Sequence, residues 1–283
     1  MSEFLADLQR HAFLQHALLT GLLVSVACGI IGSYVVARRI TYIAGGISHC
    51  VLAGMGVARY CQTVCGWQGL HPLIGAALAA LAAGLIIGLV SLKAKQREDT
   101  VISAVWAIGM AVGVLFIFKT PGYNQDLMSY LFGNILMVSS RELWLIAGLD
   151  AVIVTVGLLF YNQLLAVCFD EEFARLRGVR ADFYYLLLLL LTALTVVLLV
   201  SVVGIVMVIA LLTLPAAVAG EFFRRLWQVM ALATGLTACL TTAGLALSYG
   251  PDLPPGATTV VLAGVVYLLV VTVGRGLRSK LTG

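Results

Sequence analysis

Long apolar runs separated by short polar segments set the character of the chain. Six of them, Phe13 to Val36, Pro72 to Ser91, Thr100 to Phe118, Glu142 to Tyr161, Leu226 to Tyr249 and Ala257 to Val273, are long enough to cross a bilayer as helices, which takes roughly 20 mostly apolar residues. A shorter run, Ile43 to Tyr60, also qualifies. The stretch Phe183 to Gly220 is almost continuously apolar and about twice as long as one crossing can use. It therefore predicts two helices that turn near Ser201 to Gly204. The pattern predicts an all-α, polytopic transmembrane bundle of about nine spans, forming a single transmembrane domain over residues 1–283.

Composition agrees. The chain has 283 residues, 61% of them hydrophobic and 11% charged, with a mean hydropathy of +1.06. A soluble domain carries about a quarter charged residues, so a water-soluble fold is excluded. The net charge of +4 is too small to argue for nucleic acid, and the basic residues sit in clusters between apolar runs. With the N-terminus outside, thirteen of the seventeen Lys and Arg fall on the cytoplasmic side, leaving Arg10, Arg59, Lys119 and Arg141 outside. That bias predicts an odd number of crossings and a cytoplasmic C-terminus. It also requires two crossings within Phe183 to Gly220, since one would put Arg224 and Arg225 on the wrong side. The first run is preceded by Glu3 and Asp7 rather than a basic segment, and is too long for the core of a cleavable signal.

No Gly-Lys dipeptide occurs, so a phosphate-cradling P-loop is absent from this chain. HExxH and GxSxG are absent too, which weakens an enzymatic reading. The six cysteines are scattered, mostly within spans, where a thiol acts as a small apolar group. Cys61 and Cys65, four residues apart and near His71, also admit a disulfide or a thiolate pair.

Several polar positions carry candidate chemistry. Along Ile43 to Tyr60, Gly45, His49 and Ala53 share one face, with Gly46, Cys50 and Gly54 on the next, so His49 sits in a groove of small residues that admits a close neighbour. An imidazole at that depth faces a cavity or a partner; periodicity alone leaves open a path residue and a packing role. Asp150, midway along its span, is either on a substrate path or paired within the bundle. The segment QDLMSYLFGN predicts a short outer helix capped by Asp126 and ended by Gly133, with Leu127, Tyr130 and Leu131 inward. In FDEEFARLRGVRAD, Asp170 can cap a short helix, Glu171 and Glu172 suit its start, Arg175 and Arg177 its end, and Gly178 can terminate it. Two well-specified turns on the cytoplasmic side read as a docking knob over about residues 170–178.

With these segments in hand, the chain resembles the membrane subunit of a metal-ion ABC importer of the zinc/manganese permease family. The resemblance covers nearly the whole length. It rests on GSYVVARRITYIAGGISHCVLAG, DLMSYLFGN, DEEFARLRGV, VGIVMVIALLTLPAAVA and PDLPPGATTVVLAG, in that order. It implies a homodimeric permease in a bacterial cytoplasmic (inner) membrane, driven by a separate ABC ATPase and supplied by a metal-binding solute-binding protein. No permanently bound cofactor is implied, and the divalent metal is substrate. Glu171, Glu172, Ala174 and Gly178 then belong to a coupling helix received by the ATPase. Ser48 and His49 match the family's Ser-His pair, with His49 a transient metal ligand, while Gly204 and Pro215 match structural positions. Members often carry Asp one turn before this His, where Gly45 stands here. Without that carboxylate the imidazole tilts the expectation toward zinc over manganese, and Asp150 becomes a candidate source of the missing charge. The competing expectation is an ATP-independent secondary metal carrier or channel.

Overall fold

A computed structural model describes residues 11–67, 69–94, 97–121, 133, 135, 138–251 and 253–281. The described residues are helical, with no strand among them. The helices are α1 (Ala12–Arg38), α2 (Tyr42–Thr63), α3 (Pro72–Ala94), α4 (Glu98–Lys119), α5 (Ser140–Leu159), α6 (Tyr161–Phe169), α7 (Glu171–Leu176), α8 (Ala181–Phe222), α9 (Leu226–Tyr249) and α10 (Pro255–Leu281). Eight spans are long and apolar enough to cross a membrane among these residues, and α8 supplies two of them, Ala181–Val200 and Val202–Phe222. The ninth expected span corresponds to α2. It is a 22-residue helix, about 33 Å long, but glycine, His49 and Arg59 make it less apolar than the other eight.

The break in α8 is a reversal. Gly204 has φ 79° and ψ 165°, a region essentially reserved for glycine. Tyr185, before it, lies against Arg38 at the end of α1. Ala216 and Ala219, after it, pack with Val36, two residues earlier on α1. A straight helix would separate positions 185 and 219 by about 50 Å, so the chain must double back between them. The turn is held at the far end of the bundle, where Gly133 (φ 65°) lies directly against Val203 and Gly204. Pro215 is accommodated within the second limb.

Small residues bring backbones together around α2. A methyl group on Gly54 would strike the Gly75 carbonyl of α3, and one on Gly75 would strike the Gly54 carbonyl. On the other side, Gly109 of α4 sits against the Cys50 backbone and Gly113 against that of Ala53. In lipid, where apolar surface gains nothing by leaving hydrocarbon, such close approach supplies much of the association. Polar side chains cost little because they bond within their own helices. Ser33 donates to the Gly29 carbonyl at 2.6 Å, Thr192 to Leu188 at 2.8 Å and Thr237 to Ala233 at 2.8 Å. Helix α5 is fastened to α1 by Tyr34, whose hydroxyl donates to the Gly157 carbonyl at 3.0 Å. At the opposite end, His16 Nδ1 lies 3.3 Å from the Val138 carbonyl.

Gly204→Ala is expected to destabilise the fold by about 1–3 kcal/mol, seen as a lower melting temperature of the detergent-purified protein. Gly235→Ala, whose new methyl meets nothing within 4 Å, should leave the melting temperature unchanged or raise it.

Candidate functional site

His49 lies in the second turn of α2, on the face turned toward α4. Its ring stacks on Trp106 with centroids 4.9 Å apart and planes 18° from parallel. The imidazole is half-buried, and its Nδ1 is buried without a hydrogen-bond partner among the described residues. A nitrogen left unpaired in a bundle is costly. Trp106 also explains Gly45. A methyl group there would come within 2.9 Å of Trp106 Cζ3 and 3.1 Å of Cη2, so the indole already fills the volume that a side chain at 45 would need. Ser48 is fully buried, and its hydroxyl donates to the Ala44 carbonyl at 2.6 Å. Its oxygen keeps accepting capacity, but its proton is committed within α2.

Asp150 is set against another helix. It is 6% exposed, and its carboxylate lies beside the Ala27 backbone and the Cys28 thiol of α1, with Oδ1 buried and unpartnered. The contacts of His49 run to α4 and those of Asp150 to α1, so the structure does not join the two.

The short helix α7 forms as the capping residues predict. Asp170 Oδ1 accepts from the Phe173 N–H at 2.9 Å. Gly178, at φ 80°, closes the far end, where its N–H reaches the Arg175 carbonyl and the Val179 N–H the Ala174 carbonyl, both at 3.0 Å. The two faces of α7 differ. Ala174 is 1% exposed and Glu171 is turned into the bundle, whereas Glu172, Phe173, Leu176 and Gly178 face outward. Leu176 is 87% exposed, and Phe169 and Phe173 are exposed as well. An exposed apolar ridge next to a charged rim is the makeup of a protein-docking surface. Periodicity does not single out Phe173 and Leu176, because a six-residue helix has too few turns to assign a face, nor Trp106, whose register against α2 is set by tertiary packing.

Cys61 and Cys65 carry free thiols at the end of α2, half-buried and exposed respectively. His71 is exposed, and its Nδ1 accepts from the Leu73 N–H at 3.3 Å. Among the described residues, no group of three or more His, Cys, Asp or Glu is arranged to hold a metal ion. The segment expected to form the outer helix, with Asp126, Leu127, Tyr130 and Leu131, lies outside the described residues apart from Gly133, which has the left-handed backbone expected of a helix terminator.

Stacked apolar spans around one shielded helix define a polytopic membrane protein. The chain belongs to the ABC 3 transport family, whose model matches residues 10–274. With the eight apolar spans among the described residues, that makes it a multi-pass protein of a bacterial inner membrane. It is 42% identical over 269 residues to an uncharacterized membrane protein of Synechocystis, covering 95% of this chain and 93% of the relative. To the manganese transport system membrane protein MntC of Listeria monocytogenes it is 33% identical over 266 residues, covering 94% and 92%. The solved structure of PsaBC from Streptococcus pneumoniae in complex with Fab superposes with a TM-score of 0.83 at 30% identity, covering 95% of this chain and 94% of that one.

The Trp106–His49–Gly45 arrangement is checked by fluorescence. With Trp67, Trp144 and Trp227 replaced by Phe, Gly45→Ala should push the Trp106 ring off His49 and move its emission to longer wavelength, while Gly264→Ala, which meets nothing within 4 Å, leaves it unchanged.

Proposed function

We propose that this chain is the permease subunit of an ATP-driven importer for a divalent transition-metal ion, acting as a homodimer with separate ATPase subunits and a metal-binding solute-binding protein outside. The observation that carries this reading is the unpartnered His49 Nδ1 in a helix otherwise shielded from lipid. A transport path needs ligands that replace hydration briefly and let go, rather than a closed four-ligand cage. One imidazole, with Ser48 beside it, supplies such a site. Asp150, buried on α5 against α1, is the further carboxylate assigned to the path, reached at a different point from His49.

The end of the bundle that holds Arg38 is read as cytoplasmic, with the N-terminus outside and the C-terminus inside, because Arg38, Arg39, Arg175, Arg177, Arg224 and Arg225 gather there. On that side α7 is the coupling helix. Its outer residues Glu172, Phe173, Leu176 and Gly178 meet the ATPase, while Glu171 and Ala174 seat it on the bundle. The single domain over residues 1–283 would thus carry both the path and the docking knob.

For the cargo, the imidazole without a neighbouring carboxylate favours zinc, since manganese prefers oxygen ligands. Trp106 supports this, because its ring occupies the space above Gly45 that a second ligand would take. The manganese reading is supported by the name of the Listeria relative.

Uptake of zinc and manganese into vesicles containing the permease and its ATPase tests the whole reading. His49→Ala should lower uptake of the preferred ion by at least about tenfold with insertion intact. Leu176→Asp and Glu172→Arg should each lose the co-purifying ATPase. Manganese carried with zinc ignored would overturn the zinc assignment, and uptake by the permease alone would establish an ATP-independent carrier instead.

A further inference from the structure

Arg38 is the last residue of α1, and its guanidinium is mostly buried. Nη1 donates to the Val167 carbonyl of α6 at 2.8 Å. Nη2 donates to Glu171 Oε2 of α7 at 2.8 Å and to Glu98 Oε1 of α4 at 3.2 Å. The face of the group lies over the Tyr185 ring of α8, 4.9 Å from its centroid. One side chain thus touches four helices besides its own. The second carboxylate oxygen of Glu171 accepts from Arg175 at 2.6 Å, and Arg175 also reaches Asp182 of α8 at 2.6 Å. The side chain of Arg38 is 15% exposed and those of Glu98 and Glu171 are 28% and 22% exposed. Charges this poorly solvated are costly to separate once paired, which makes the cluster a stiff joint rather than a loose surface contact.

Of the helices at this joint, α4 carries Trp106, and α1 leads through a short turn into α2, which carries His49. Glu98 is the first residue of α4, and Trp106 lies eight positions further on, about 12 Å along the axis. On the other side, α1 ends at Arg38 in a tight turn: Arg39 takes a left-handed backbone at φ 64°, its N–H bonds to the Val36 carbonyl, and the Ile40 N–H bonds to the Val35 carbonyl, both at 3.1 Å. Helix α2 starts three residues later and bears His49 two turns in. A movement of α7 that draws on Glu171 therefore acts through one guanidinium on the start of α4 and on the α1–α2 turn together.

We propose that Arg38 is the positioning residue that transmits displacement of α7 to the His49–Trp106 pair, so that ATPase closure is converted into opening of the metal path. The proposal rests on the reading of α7 as the coupling helix. A planar guanidinium can serve Val167, Glu98 and Glu171 at once; a lysine ammonium in its place offers one point charge and cannot keep that geometry.

The test uses the full permease with its ATPase in liposomes, measuring ATP hydrolysis and uptake of zinc and, in parallel, manganese. In Arg38→Gln, the ATPase should still co-purify and hydrolysis should stay within about twofold of the parent, while ions taken up per ATP fall roughly tenfold. Glu98→Gln, which leaves the Arg38–Glu171 pair and Tyr185 contact in place, should lower the same ratio by a few fold. Arg38→Lys should restore part of it. Uptake per ATP unchanged in Glu98→Gln and in whichever Arg38 variants accumulate overturns the proposal. So does a fall of uptake and hydrolysis in equal proportion, the signature of a merely structural role. Loss of the ATPase from Arg38→Gln would make Arg38 a docking residue and also overturn it. Failure of the coupling-helix reading appears separately, as an ATPase that still co-purifies with Leu176→Asp.

Discussion

The structure depends on hiding one comparatively polar helix from lipid. Helix α2 carries an imidazole and a string of glycines, and exposed to hydrocarbon its polar groups would be costly. It is sheltered because α3 and α4 approach to backbone contact, through Gly54 and Gly75 on one side and Gly109 and Gly113 on the other. Side chains at those points would hold the helices apart and open the groove to lipid. The glycines that lower the hydropathy of α2 are the same residues that permit its burial.

Much of this was legible in the order of residues. The apolar runs located the spans, and the length of Phe183 to Gly220 together with the Arg224–Arg225 pair demanded a reversal, found at Gly204. The capping chemistry of Asp170 and Gly178 is local, involving atoms within a few residues, and it forms at both ends of α7. What resisted was pairing between distant segments. Periodicity put His49 in a groove of small residues, but said nothing about Trp106 entering that groove from α4. Likewise Arg38 reads in sequence as one of many positive charges fixing topology, because the four groups it meets, Glu98, Val167, Glu171 and Tyr185, all lie 60 or more positions away along the chain.

The division of α7 into two faces refines what the motif alone conveyed. DEEFARLRGV looked like one docking unit. In the fold its first glutamate, Glu171, and its alanine are turned inward to anchor the helix, and the outward surface sets the apolar Phe173 and Leu176 among Glu172, Arg175 and Arg177. A knob held by charge on the inside and offering apolar surface outside can move as a rigid piece with whatever grips it.

The hairpin at Gly204 reaches well beyond its own neighbourhood. Each transmembrane segment inherits its up or down sense from the one before, so the number of turns decides which way every later segment runs. By folding what would be one long rod into a return trip, this residue brings the start of α9 back beside α1. A chain that ran straight through would thread its final third upside down. The parity of the whole C-terminal portion hangs on a backbone angle that only the smallest amino acid adopts with ease.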